Sequence, residues 1–350
     1  MKNKIKVYLQ YPWKFPDSPY YKYLVDNPPE NIEFLNTERQ KGVIINKRFF
    51  WFSNFLKRNI RKFTNFLKLS IPNAHLTKSK EDYDLIHCAH CLSKNKNRPW
   101  IADFESEWQF YIGKKTKRAK EKVKKILMSN NCKKILAWTE ETKRKITGEF
   151  PEIKDKVEIV YPAVPLPKIK KKKHEDINLL FVARYFYEKG GLHALESINQ
   201  LTKKYDYVKG IVVSEIPGEI LKKYSRNKKI FFYRLMPQKR LFEEIFSRAD
   251  VFVYPGYSDS FGFSFLESMS FGIPIVTTDG FARKEIVKGM GAGLIVEKSH
   301  DINYKILDHD VINKLIENCS KLIENKKLRE KMAKNCIEII KNGRFSIKKG

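Results

Sequence analysis

Short apolar runs bounded by turn residues alternate with stretches of helical spacing from one end of the chain to the other. In the first half the runs Ile5 to Gln10, Asp84 to His87, Trp100 to Ala102, Ile135 to Thr139 and Val157 to Val160 read as strands. The second half repeats the rhythm with Asn178 to Ala183, Gly210 to Val213, Lys229 to Tyr233, Val251 to Tyr254 and Pro274 to Thr278. Strands that alternate with helices imply βαβ units and parallel sheets covered on both faces. Between the halves, three prolines and a lysine run (161–173) stop regular structure. The expected fold class is therefore α/β, with a domain over 1–160, a linker over 161–176 and a second domain over 177–350. Ligands of such sheets bind outside the carboxyl ends of the strands.

A segment of different character precedes the second of these strands. From Ile45 to Leu67 the apolar residues Ile45, Phe49, Phe52, Leu56, Ile60, Phe63 and Leu67 recur in steps of three and four, which puts them on one helical face. Lys47, Arg48, Lys57, Arg58, Arg61 and Lys62 cover much of the remainder. An aromatic stripe opposite a basic face suits a helix lying in a lipid headgroup layer, and equally one packed on a sheet. The second basic run, Lys114 to Lys125, has too few aromatics for base stacking and reads as a solvated helix face.

Composition narrows the classes. A chain of 350 residues, 42% hydrophobic and 13% aromatic, can bury two cores and is no disordered tail. Lys and Arg number 69 against 40 Asp and Glu, a formal charge of +29 that attracts polyanions. The excess is uneven: 39 against 18 in residues 1–173 gives +21, and 30 against 22 in residues 174–350 gives +8. Five cysteines, an odd count, fit a reducing compartment. The N-terminus lacks the apolar core of an export signal, and no run of about 18 apolar residues occurs. A cytoplasmic chain, peripheral at most to a membrane, is expected.

The chemistry concentrates in two places. In Asp250-Val-Phe-Val-Tyr-Pro-Gly-Tyr-Ser-Asp259-Ser-Phe-Gly262-Phe263-Ser264-Phe-Leu-Glu267 a strand ends at Pro255, a loop follows, and a helix starts near Ser264. Amides around Gly262 to Phe265 would point out of that helix N-terminus, where phosphate or sugar oxygens are attracted. Asp259 lies before the helix and Glu267 near its first turn, placed to hold sugar and ribose hydroxyls respectively. The second place is Leu179 to Gly191, where a strand delivers Arg184 and a turn returns Lys189. Two cations at a strand end suit a diphosphate leaving group.

With these motifs in this order, the chain resembles the retaining family-4 glycosyltransferases of GT-B architecture (glycosyl transferases group 1). The resemblance rests on Lys156-Val-Glu-Ile-Val-Tyr-Pro162, Phe181-Val-Ala-Arg184 with Glu188-Lys189-Gly190, Ala249 to Pro255, the spaced acids Asp259 and Glu267, and Gly272-Ile-Pro-Ile-Val-Thr277. It implies two Rossmann-like domains facing a cleft, and transfer of a sugar from a nucleotide-diphosphate sugar with retained configuration and no metal or other cofactor. It also implies that Arg184 and Lys189 hold the diphosphate, Glu267 the ribose and Asp259 the donor sugar, with Leu235 near the base.

Three departures from the family pattern stand out. Asp259 replaces the usual, longer Glu, and Tyr11-Pro-Trp-Lys-Phe-Pro replaces the Gly-rich loop after the first strand. Where the family often has a His in the first domain, Trp100-Ile-Ala-Asp103-Phe-Glu105 places Glu105, which could orient the acceptor or take its proton. His87-Cys88-Ala-His90-Cys91 has no second Cys/His cluster at ligand spacing, so a zinc site is not expected. His87, His90 and Asp103 are instead candidates for the acceptor side.

The expected partners are a nucleotide-sugar donor and a glycan or lipid-linked acceptor. An anionic membrane surface, met through 45–67, accounts for the charge asymmetry better than nucleic acid, for which no zinc-finger or RRM motif is present. A basic nucleic-acid-binding protein and a non-catalytic sugar-nucleotide binder are the competing readings.

Overall fold

The structure, a computed structural model, describes residues 4–11, 19–37, 52, 55, 56, 59, 70–258, 261–298 and 301–348. The chain divides into two compact units, Met1–Pro162 and Ala163–Gly350.

The first unit is built on a six-stranded parallel sheet. Its strands lie side by side in the order Val157–Ile159, Cys132–Ala137, Trp100–Phe104, Leu85–Cys88, Ile5–Gln10 and Ile32–Leu35. Its core gathers Ile86, Trp100, Phe104, Phe110, Val123, Leu127, Ile135 and Phe150. The lysine-rich run forms a helix, Lys117–Met128, capped by the Thr116 side chain, which accepts from the Ala119 amide. Ala119, Val123 and Leu127 face inward at a four-residue spacing, and the intervening Lys, Arg and Glu side chains lie mostly at the surface.

The second unit repeats the architecture. Its parallel sheet runs Ile230–Tyr233, Val208–Ser214, Ile177–Ala183, Val251–Val253, Ile275–Thr278 and Gly293–Val296. The Ile177–Ala183 strand, central and covered on both faces, is buried at six of its seven positions, as a continuous apolar run requires. Gly210, in the neighbouring strand, is as small as its position demands: a Cβ there would meet Ile198 Cγ2 of the Gly191–Lys204 helix at 2.4 Å. Within the inter-half segment, the Val164 amide donates to Phe345 O at 3.3 Å and the Lys172 amide to Ser247 O at 2.7 Å. These residues therefore lie along the second unit instead of hanging free.

Ile32–Leu35 and Gly293–Val296, both edge strands of four residues, are elements that the apolar pattern did not single out. Edge strands bury less and carry a weaker run. Of the 45–67 segment only Phe52, Phe55, Leu56 and Asn59 fall within the described residues, and all four are exposed. No helix among the described residues is long and apolar enough to cross a membrane.

Candidate functional site

In the second unit the chain enters the sheet at Ile177–Ala183, steps outward through Val208–Ser214 and Ile230–Tyr233, then returns to Val251–Val253 on the opposite side of the first strand. The connections leaving Ile177–Ala183 and Val251–Val253 therefore diverge, which opens a crevice at their carboxyl ends. Arg184, half-buried, follows the first strand directly, and the loop Pro255 to Ser258 follows the second.

Hydrogen bonds pin these two loops together. The Gly256 amide donates to Lys189 O at 3.0 Å, the Ser258 amide to Glu188 O at 3.0 Å, and Lys189 Nζ to Ser258 O at 2.5 Å. Gly190 makes the approach possible: its φ is +79°, and a Cβ there would sit 2.5 Å from Pro255 Cβ. The cation expected from one motif is thus fastened to the backbone just before Asp259 of the other. Asp259 itself lies outside the described residues.

The helix expected near Ser264 spans Phe263–Ser270, with Gly262 as its N-cap at φ +86°. Gly262 is buried, Phe263 and Ser264 are half-buried, and the early amides form the positive end of the helix. Glu267, half-buried, accepts a 2.7 Å hydrogen bond at Oε1 from Gln238 Nε2. Gln238 and the half-buried Leu235 both follow the Ile230–Tyr233 strand, so they too belong to the carboxyl edge.

Sequence reasoning missed three residues here. Gln238 carries no motif signal. Ser214 ends the strand beside Ala183, and its buried hydroxyl has no partner among the described residues. Arg283, only 2% exposed, donates through Nη1 to Thr278 O at 2.8 Å and Thr278 Oγ1 at 3.0 Å, while Thr278 Oγ1 donates to Pro255 O at 2.8 Å. This buried chain supports the Pro255 loop from beneath.

The first unit has its own crevice between Ile5–Gln10 and Leu85–Cys88, for the same topological reason. Asp103, fully buried, accepts from Tyr21 OH at 2.7 Å and Tyr20 OH at 3.3 Å and pairs with His87 Nε2 at 3.0 Å. Burial alone would raise its carboxyl pKa, but the charge and hydrogen bond of His87 and the hydrogen bond of Tyr21 hold it below the ordinary value. Burial and the same carboxylate push both tyrosines well above theirs. His87, like Asp103, is inside the unit, so neither presents a surface to a ligand.

His90 does reach the rim. It adopts φ +56°, stacks on the half-exposed Trp108 at a ring distance of 5.9 Å, and meets the Tyr21 and Trp138 rings edge-on. Gln109 Nε2 binds its Nδ1, and Glu105 Oε2 lies 4.0 Å away. Burial brings the His90 pKa down to about 4, with Asp103 opposing and His87 adding, so the ring is neutral at pH 7. Glu105 is half-buried. Cys88 and Cys91 are buried, and burial drives the Cys88 thiol well above its usual pKa. Among the described residues no group of three or more His, Cys, Asp or Glu is placed to hold a metal ion.

Residues 165–338, spanning both second-unit motifs, match the family model described as "Glycosyl transferases group 1". Through these residues the second unit resembles the group 1 glycosyl transferases. An uncharacterized 41.2 kDa protein in the cps region of Klebsiella pneumoniae is 25% identical over 281 residues, covering 75% of this chain and 72% of that protein. Among solved structures, a glycosyltransferase from Rickettsia africae superposes with a TM-score of 0.64 at 12% identity, covering 99% of this chain and 96% of the other. HepE of Anabaena, solved in complex with UDP, gives a TM-score of 0.60 at 12% identity, with 98% and 96% covered. At such identities the likeness concerns the fold: two parallel-sheet α/β units of the GT-B glycosyltransferases. The family match covers the unit that carries Arg184, Lys189, Gly262 and Glu267.

Proposed function

We propose that this protein is a group 1 glycosyl transferase that moves a sugar from a nucleoside-diphosphate sugar to a hydroxyl of a glycan or lipid-linked acceptor, with retention at the anomeric carbon. The observation that carries this reading is the fastening of Lys189 and Glu188 to the Gly256–Ser258 loop, which fixes a cation on the loop that leads from the Val251–Val253 strand to the Phe263–Ser270 helix. In the reaction the bond from the anomeric carbon to the diphosphate breaks, and a bond to the acceptor oxygen forms on the same face. Charge develops on the departing diphosphate. Arg184, Lys189 and the helix amides are preorganised to meet it, which is the most effective form of electrostatic stabilisation.

Glu267 holds the ribose hydroxyls, with Gln238 orienting its carboxylate. Leu235 lines the base, and Asp259 contacts the donor sugar. In the first unit Glu105 takes the acceptor's proton, because Asp103 is already committed to three internal donors. Since protein cations cover the diphosphate, the reaction needs no metal. The cps-region relative supports a role in glycan biosynthesis, and the UDP in the HepE structure makes UDP-sugars the first donors to test. Exposed Phe52, Phe55 and Leu56, together with the basic residues of 45–67, support docking on an anionic membrane.

A thermal-shift screen of nucleotide-sugars tests the donor, since a ligand at 100 times its Kd stabilises by about 2.7 kcal/mol. Turnover with the hit, with and without EDTA, followed by NMR of the product anomer, tests the rest. Binding without transfer to any acceptor would favour a non-catalytic binder, an inverted anomer would overturn retention, and loss of rate in EDTA would overturn metal independence.

A further inference from the structure

The first unit contains a cavity of about 700 Å³ away from the residues assigned above. It lies where residues 94–99 enter the Trp100–Phe104 strand and residues 129–131 enter Cys132–Ala137, which is the amino edge of the sheet. His87, Asp103 and His90 belong to the carboxyl edge. Ile71, Pro72 and Ile126 give the cavity an apolar wall, and Lys94, Lys96, Lys122 and Lys125 surround it.

Those lysines differ from the other basic residues nearby. Among the described residues none of the four has a carboxylate within 4.0 Å, whereas Arg98, Lys115, Lys124 and Lys134 are each paired with Asp or Glu. The Lys117–Met128 helix ends at this cavity, and its C-terminal carbonyls would normally make the site repel anions. Lys156 removes that objection: its ammonium donates to Leu127 O at 3.1 Å and Ser129 O at 2.8 Å. The local field is therefore set by clustered, uncompensated ammonium groups. Asn95, Asn130 and Asn131, also on the lining, add amide donors.

We infer that this cavity binds a phosphate-bearing group, with the lysines on its oxygens and the apolar wall against whatever carries it. Lysine is a point-charge donor without a fixed fork, so such a site recognises charge and position more than shape. It is independent of the donor-binding residues, which lie in the other unit.

The test is calorimetric titration with two probes, pyrophosphate and dihexanoyl phosphatidic acid below its micelle concentration. The wild type, the Lys94→Ala/Lys96→Ala/Lys122→Ala/Lys125→Ala variant and the Arg184→Ala/Lys189→Ala variant are compared at low salt. A fourth protein, in which exposed Lys114, Lys117, Lys133 and Lys154 become Ala, controls for net charge. The expected result is at least a tenfold loss of affinity at this site in the cavity variant and less than a twofold change at it in the other two, the Arg184/Lys189 variant losing only the separate pyrophosphate binding of the donor site. Tighter binding of the lipid phosphate identifies a lipid headgroup as the source, and equal or weaker binding a free phosphate. Unchanged affinity in the cavity variant, or an equal loss in the charge control, overturns the inference. Loss confined to the Arg184/Lys189 variant overturns it too, by assigning the anion to the donor site. Melting curves of all four proteins verify that the substitutions leave them folded.

Discussion

Lys189 Nζ donates to the backbone oxygen of Ser258 at 2.5 Å, so a cation delivered by one motif is held by the loop of another 69 positions away. Replacing Lys189 with Ala removes both the charge and the tie. By the scale of a lost charge-stabilising donor, kcat should fall by about 10²–10³. Initial rates with a saturating nucleotide-sugar measure this, and a wild-type rate would remove Lys189 from the mechanism.

Gly190→Ala should damage the same site through the backbone. The residue sits at φ +79° and its new Cβ would stand 2.5 Å from Pro255 Cβ, so the two loops must separate. A left-handed non-Gly residue with a clash costs roughly 1–3 kcal/mol. A lower Tm together with weakened nucleotide binding is expected; an unshifted Tm would show that the loops tolerate separation.

Glu267→Gln keeps the shape but removes the charge that a ribose would meet. Hydrogen bonds to charged groups contribute about 1.5–3 kcal/mol, so KM for the donor should rise by about one to two orders of magnitude. A change confined to kcat would place Glu267 at the reacting carbon instead.

In the first unit, the hydrogen-bond lengths at Asp103 order the expected losses. Asp103→Asn takes the charge from three buried donors and should cost roughly 2–4 kcal/mol, and Tyr21→Phe, losing the 2.7 Å bond, about 1.5–3 kcal/mol. Tyr20→Phe, whose bond is 3.3 Å long, should cost least. Denaturant titrations would reject this arrangement if Tyr20→Phe proved the most damaging of the three.

Acid should destabilise the fold above the range in which carboxylates titrate. His90 and His193 are both pushed down to about 4, chiefly by burial, against an ordinary 6.5. Between those values the unfolded chain binds more protons than the folded one, so stability is full above pH 6.5 and falls as the pH drops toward 4. His193 Nε2 accepts from the Asp308 amide at 3.0 Å, a bond that protonation abolishes. His193→Gln should therefore flatten the dependence of Tm on pH between 6.5 and 4; an unchanged slope would contradict the assignment.

Much of this was legible from residue order alone. Parallel strands buried on both faces must be apolar throughout, so Ile177–Ala183 and Val251–Val253 announce themselves, as does the Phe263–Ser270 helix between Gly262 and the Gly272-Ile-Pro274 break. The cations Arg184 and Lys189 stand at a strand end because the chain has to turn there. Of the edge strands, Val157–Ile159 and Ile230–Tyr233 could be read in the same way, whereas Ile32–Leu35 and Gly293–Val296, short and only partly buried, leave no such trace.

What the linear chain could not disclose is which distant groups satisfy one another. Gln238 on Glu267, Arg283 under the Pro255 loop, Tyr20 and Tyr21 on Asp103, and Lys156 on the end of the Lys117–Met128 helix are polar contacts between elements far apart in sequence. No periodicity encodes them. Local backbone preference and burial are properties of a segment and can be read along it; a buried charge must find a partner wherever the packed sheet and helices bring one, and only the tertiary structure decides where that is.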